Sequence, residues 1–440
     1  MTRKAFIAAA ASLVLSGCSR EEGAVGSSPD RGNLRAAPAS IGESGSMAYD
    51  GILAQHEPLG KGAGVMPGRV AWAHDPKAVL WGGNGYWWEP TGYDEERVLS
   101  LVRSAVASVG GAADATAGWQ AIWSVHGGYA PGQRIAIKCN MNGSGAFDDS
   151  ATGETNLSYT NPVLLKALLR SLVEDASVPA ESITVFDVSR IFPVYLVEMC
   201  TQGELAGIRF VGRNEVEADT EAAVSWSGDV RGPGCYLPTC LTQADHLINL
   251  ASLKGHSYGV TLCGKNHFGS FYNGDTFRPP QTGGLHRFVS SPAIGRYSPL
   301  VDFMADPRVG GKTVLYLLDA LVCATSEGVD VTREAALWEQ SPFNGGYTAS
   351  VFASQDPVAI DSVGVDLLTN EPAVTSRNAV VGCAGVEGYL HEAAQPLAAP
   401  SGVNYGVENL GVHEHWDNAR DKRYSRNRGR GEGIELVYLG

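Results

Sequence analysis

The stretch Asp245-His246-Leu247-Ile248-Asn249-Leu250-Ala251-Ser252-Leu253-Lys254-Gly255-His256 decides the fold. It begins as a short, nearly continuous apolar run of the kind that forms a strand buried on both faces, and it ends in Lys-x-His chemistry. The same layout recurs on either side. Arg134-Ile135-Ala136-Ile137-Lys138 is a β-type run followed by a Gly/Asn/Ser/Asp loop. Asn161-Pro162 then opens a helix, with the asparagine as cap and the proline as first helical residue. That helix should run to about Glu174 and turn Leu164, Leu165, Leu168, Leu169 and Leu172 inward. Residues 183–186, 208–211, 313–318 and 350–353 read as further strands, residues 194–200 as a helix, and Asp356-Pro357 as a second cap-plus-proline helix start. Such alternation predicts an α/β fold, a mostly parallel sheet with helices on both faces, its core at about residues 130–370.

Upstream, Asp94 can cap a helix carrying Val98, Val102, Ala105 and Val109, stopped by Gly110-Gly111, and Asp114 can cap another over residues 115–125. Trp72, Trp81, Trp87, Trp88, Trp119 and Trp123 all fall in this Trp-rich helical N-terminal segment. They could line a sugar-like site, but core and lid packing is the simpler reading.

In open α/β sheets the ligand crevice lies beyond the carboxyl ends of the strands. Five strands here end in polar residues: Lys138 and Asn140, Asp187 and Ser189, Asn249 with Lys254 and His256, Asp319, and Asp356. They are expected at one rim. The segment continues through Cys263-Gly264-Lys265-Asn266-His267-Phe268-Gly269, so ammonium, imidazole and amide groups crowd one loop. His256 is the candidate general base or metal ligand, and Lys138, Lys254 and Lys265 the candidates for holding anionic groups, Lys265 also as base if desolvation lowers its pKa. Asp187 completes the catalytic set. Asn140, Asn249, Asn266 and Gly269 are the expected cofactor-binding positions. A divalent metal, if bound, would draw on His256, His267, Asp319, Asp356 and Asp361. His256 and His267 would be about 16 Å apart on a continuous helix, so sharing an ion requires a turn at Gly255 or Gly259. Otherwise His267 is structural.

Two features stand apart. His413-Glu414-His415 is a second ligand set if it lies in a strand, where the two imidazoles face one way and the glutamate the other; exposed loop histidines are the simpler reading. Arg420, Lys422, Arg423, Arg426, Arg428 and Arg430 form a basic stretch, by default a solvated surface, with an anionic substrate or lipid headgroups as the alternative.

Residues 1–17 carry Arg3 and Lys4, an apolar run from Ala5 to Leu15, then Ser16-Gly17 before Cys18, the layout of a secretory signal peptide. Leu15-Ser16-Gly17-Cys18 resembles a bacterial lipobox, making Cys18 the lipidation site; a plain signal with a chance cysteine is the alternative. Arg3-Lys4 is similar to a twin-arginine signal with lysine in second place. Residues 18–48, the lipidated cysteine and a tether rich in Gly, Ser, Pro and Ala, would reach roughly 30 Å. Residues 49–440 would be a single domain. The expected location is the periplasmic face of the envelope, on the outer membrane in a double-membrane cell because Ser19 follows the cysteine.

The 440 residues are 44% hydrophobic and 18% charged, which excludes wholesale disorder, and 54 glycines without a three-residue period imply tight turns rather than collagen. Net charge is -14, and loss of Arg3 and Lys4 makes it -16, so nucleic acid is not an expected partner. Past Cys18 there are seven cysteines, an odd number, of which only Cys235 and Cys240 lie close enough in sequence to suggest a local disulfide. No clustered cysteine run suits an iron-sulfur cluster. Walker, H-E-x-x-H and strand-linked G-x-G-x-x-G motifs are absent from the sequence, leaving ATPase, zincin and nicotinamide readings without their usual residues.

Residues 135–140, Thr160-Asn161-Pro162, Val185-Phe186-Asp187-Val188-Ser189, residues 245–269 and Asp356-Pro357-Val358-Ala359-Ile360-Asp361 together resemble the ordered motifs of the bacterial and archaeal "domain of unknown function 362" family. Leu410 to Trp416, Tyr424 to Asn427 and Gly433 to Leu436 are similar to its exported lipoprotein subgroup. The resemblance implies the fold and the motif positions, and no settled reaction. Two functions follow as expectations: a metal- or cofactor-dependent enzyme acting on a small anionic substrate at the rim, or a non-catalytic lipoprotein that captures a solute or metal.

Overall fold

The computed structural model describes residues 53, 55–144, 154–215, 217–230, 235–273, 283–286, 288–289, 293–383 and 385–440. The signal peptide, Cys18 and the tether lie outside them. Thirteen elements frame the molecule. In chain order they are β1 (Arg69–His74), α1 (Glu95–Val109), α2 (Ala115–Ser124), β2 (Ile135–Lys138), α3 (Pro162–Arg170), β3 (Ile183–Phe186), β4 (Arg209–Val211) and β5 (His246–Ser252). There follow β6 (Thr313–Ala320), β7 (Ser350–Ser354), α4 (Pro357–Thr369), α5 (Gly388–Ala394) and β8 (Glu435–Leu439).

The eight strands form one sheet in the order β8-β1-β7-β6-β5-β2-β3-β4. All its pairings are parallel except those of β7, which runs against both β6 and β1. Alternate residues feed opposite faces, as a period of two requires. Ile135, Ile137, Ile248 and Leu250 pack with α1, α2 and α3, whereas Ala136, Leu247 and Ala251 pack with α4 and α5. Both faces are therefore apolar, which is why the strands read as continuous hydrophobic runs.

The helix starts follow from their caps. Asp94, Asp114 and Asn161 each accept a backbone N–H from the first turn of α1, α2 and α3. All six N-terminal tryptophans are buried, and Trp119 stacks on Trp123 with ring centroids 5.4 Å apart.

Two strands of the sheet, β1 and β8, come from outside the expected 130–370 core. A three-stranded antiparallel sheet, residues Ala218–Ala223, Cys235–Pro238 and Tyr272–Asn273, was not foreseen. No disulfide joins Cys235 to Cys240. Among the described residues no helix is long and apolar enough to cross a membrane.

The reversal of β7 corrects one expectation. A strand running against its neighbours ends at the opposite edge of the sheet, so Asp356 is not at the rim. It caps α4 instead, accepting backbone N–H groups from Val358, Ala359, Ala63 and Val412. Burial pushes its carboxyl up to about 7.

Candidate functional site

Beyond the ends of β2, β3 and β5 the chain builds a cleft of about 450 Å³. After β5 it makes a tight hairpin, Lys254–His256 paired antiparallel with Gly259–Thr261, then a helical turn, Cys263–Asn266, and a 3-10 turn, His267–Gly269. A side chain at Gly255 would collide with the carbonyl oxygen of Thr325, so only glycine lets the hairpin lie so close to the strand-end loop after β6. Asn266 ties the assembly down. Its amide donates to the Lys138 and Leu250 carbonyls and to Asn249 Oδ1, and its oxygen accepts from Lys138 Nζ and Asn140 Nδ2.

The expected residues divide into those that face the cleft and those that support it. Lys138 supports it. It is fully buried, and its ammonium donates to the Cys139 carbonyl at 2.6 Å, to Asp187 at 3.1 Å and to Asn266 at 3.3 Å. Lys254 is equally buried and donates to the Ser158 carbonyl at 2.8 Å. Neither lines the cleft, so the expectation that they hold anions there gives way to a role in holding loops together. Asp187 reaches the cleft wall, but its oxygens already take Lys138, Met141 N–H and both the N–H and hydroxyl of Ser189. A methyl group on Gly269 would lie 2.7 Å from Asp187 Oδ1 and 2.9 Å from Lys138 Nζ, so this glycine makes room for the ion pair.

The five residues expected to bind metal are not brought together. His267 is held between Asn249 and Ser270 and kept neutral by burial, its pKa pushed down to about 3. Asp319 accepts Asn161 N–H and Leu321 N–H. Asp361 faces inward from α4 and accepts Cys263 N–H, Gly264 N–H and the Tyr389 hydroxyl. Burial raises both carboxyls to about 6. Each oxygen pair is satisfied by local donors, and Asp356 is at the other end of the sheet.

His256 and Lys265 do meet. Lys265 Nζ lies 3.2 Å from His256 Nε2 and 3.1 Å from His286 Nε2, over the ring of Phe268. The proton positions follow from the neighbours. Tyr258 N–H donates to His256 Nδ1 at 3.0 Å, so that nitrogen carries a lone pair and a neutral ring bears its proton on Nε2. That N–H points at Lys265, which can accept it only as an uncharged amine, and the amine then donates to His286 Nε2. Electrostatics agree. Burial, with Lys254 adding to it and Glu327 opposing, lowers Lys265 to about 7, and burial with nearby Lys265 holds His256 well below its ordinary value.

The cleft also contains Arg190, Asn142, Thr261 and His286, none of which the sequence analysis singled out. Arg190 had a signal, because it directly follows Asp187-Val188-Ser189 at the end of β3. His286 had none, being in a four-residue helix, Gly283–His286, far from any strand motif. Two cleft atoms, Asn140 Oδ1 and Thr261 Oγ1, are buried and lack a hydrogen-bond partner.

The pair His413 and His415 is fully buried, contrary to the exposed-loop reading. Both rings turn toward Glu387, while Glu414 points the other way and accepts from Ser425 and Ile434. His413 and Glu387, with His56 and His391, make a histidine and glutamate group of metal-binding type. The sequence carried a cue in Glu387-x-x-x-His391, whose spacing places both side chains on one helical face.

Fold and cleft thus define an α/β protein with a cationic and imidazole site at the carboxyl rim of a mostly parallel sheet. The sequence model of the family described as "Domain of unknown function (DUF362)" matches residues 135–366, more than half of the chain, and the protein belongs to that family. A search of curated proteins gave no match.

Proposed function

We propose that the protein is an enzyme that transfers a proton to or from a small anionic substrate, one bearing a carboxylate or phosphate, bound in the rim cleft. One observation carries this reading: the chain from His256 Nε2–H through Lys265 Nζ to His286 Nε2, which demands a neutral lysine. An amine whose pKa lies near neutrality takes up and returns protons at little cost, which suits a general base. Arg190, in the cleft wall, supplies the cationic charge for the anion. Asn140 Oδ1 and Thr261 Oγ1 offer polar groups that still lack partners.

The test is solvent deuterium incorporation at C2 of small 2-hydroxy acids and at C3 of small 2-keto acids, followed by proton NMR. Incorporation should rise as pH passes about 7 and vanish in Lys265→Met. Exchange that Lys265→Met leaves unchanged would sink the proposal, and so would ligand binding without any exchange, the behaviour of a capture protein. The further proposal that the enzyme is exported and lipid-anchored through Cys18 is supported by the Arg3-Lys4, apolar-run and small-residue order before that cysteine. Radiolabelled palmitate incorporated by the wild type and lost in Cys18→Ser would bear it out, whereas label persisting in Cys18→Ser would refute it.

A further inference from the structure

Away from the cleft, α5 and the segments before β1 and after α5 bring three imidazoles and a carboxylate to one point. Ligand atoms of His56, Glu387, His391 and His413 all lie within 4.8 Å of one another. The rings surround a common centre, with centroid separations of 4.8 Å for His56 and His413, 4.7 Å for His391 and His413, and 5.3 Å for His56 and His391.

The tautomers are fixed from outside. His56 Nδ1 lies 2.7 Å from the Glu57 carbonyl oxygen, which can only accept, so Nδ1 bears the proton. Ser362 gives its single hydroxyl hydrogen to the Val358 carbonyl, so it must accept from His413 Nδ1 at 2.8 Å. Both rings therefore present bare Nε2 lone pairs inward. Opposite them sits Glu387, its carboxylate aligned by His415, which is held in turn by Asp366 at 2.6 Å. Lone pairs and a carboxylate converge in this buried space. The Nε2 atoms of His56, His391 and His413 are all buried without a hydrogen-bond partner. His413 is fully buried, so its orphaned nitrogen has no recourse to water. Each such nitrogen is costly to leave unsatisfied, and a cation satisfies all three at once.

We propose that His56, Glu387, His391 and His413 bind one divalent first-row transition metal ion. Three neutral imidazoles and one carboxylate match the donor preferences of such ions and not those of calcium or magnesium, which take oxygen. Outward Nδ1 hydrogen bonds to a carbonyl and a hydroxyl are the orientation that metal-ligating histidines use. Tetrahedral metal–ligand bonds of about 2.0–2.2 Å put donor atoms about 3.3–3.6 Å apart, so binding draws the most distant pair, within 4.8 Å here, in by up to roughly 1 to 1.5 Å. His56 is only part-buried, which leaves an entry path on its side. All four ligands lie outside residues 135–366, so the site is additional to the matched family segment.

Cobalt(II) titration of the apo full-length chain, read by visible absorption and thermal melting, tests this. The expected result is one ion per chain, a raised melting temperature, and at least about tenfold weaker binding in Glu387→Gln and in His56→Ala. His56 is at the half-buried edge, so His56→Ala keeps the test decisive should Glu387→Gln fail to fold. Lys265→Met should bind cobalt like the wild type, which separates this site from the rim cleft. Substoichiometric binding, or full affinity in folded His56→Ala, would overturn the assignment.

Discussion

Replacing Lys265 with methionine should change how stability depends on pH, by an amount the structure sets. Burial lowers the ammonium from its ordinary value of 10.5 to about 7. At about 1.36 kcal/mol per unit, the folded state disfavours the charged lysine by roughly 5 kcal/mol. Between pH 7 and 10.5 the unfolded chain binds more protons at this position than the folded one, so wild-type stability climbs with pH across that window. The penalty is fully present below pH 7. Lys265→Met has no such proton to lose. The wild-type-minus-variant difference in unfolding free energy should therefore rise by about 2 kcal/mol from pH 7 to pH 9. Urea denaturation of both proteins at half-unit pH steps, followed by tryptophan fluorescence, measures it. A difference that stays flat across those pH values would show that Lys265 keeps its charge near neutrality, and the proton chain with His256 and His286 would be wrong.

Three further outcomes follow. Gly269→Ala forces a methyl group against Asp187 and Lys138 and should destabilise by about 2–4 kcal/mol, measured by thermal melting. Lys138→Met leaves the Asp187 carboxylate buried without its ammonium and should cost about 3–5 kcal/mol, partly recovered in the double variant with Asp187→Asn. Asp356→Ala removes the acceptor for four backbone N–H groups and should cost about 2–4 kcal/mol, with Asp356→Asn milder because it keeps one cap oxygen.

The strands were legible because burial on both faces leaves a run of apolar residues that no helix period explains, and β2, β3, β5, β6 and β7 appear within two residues of where those runs lie. Strand direction was not. Nothing local in Ser350-Val351-Phe352-Ala353 marks β7 as antiparallel, since that depends on partners 30 to 38 and 276 to 284 residues away, and so Asp356 was assigned to the wrong edge. The meeting of His256 with Lys265 was readable from their spacing across glycine-bounded turns. The inward commitment of Lys138 and Lys254 was not, because a lysine at a strand end looks the same in sequence whether its stem runs to solvent or beneath a loop. Asn249 and Asn266 were foreseen as ligand contacts; they hold the loop onto the sheet, and two of their partners are backbone carbonyls separated from Asn266 by 16 and 128 residues.

The sheet's edge sets an order of assembly. The strand β1 lies between β7 and β8, so the first sheet strand to leave the ribosome has both neighbours still unmade until residue 350 and then residue 435 emerge. Its backbone donors and acceptors have nothing in the sheet to pair with until β7 is made, and closing the second side joins Arg69 with Glu435, 366 residues away. Maturation therefore waits on Glu435–Leu439, and a chain lacking that strand would leave Arg69–His74 as an open, sticky margin.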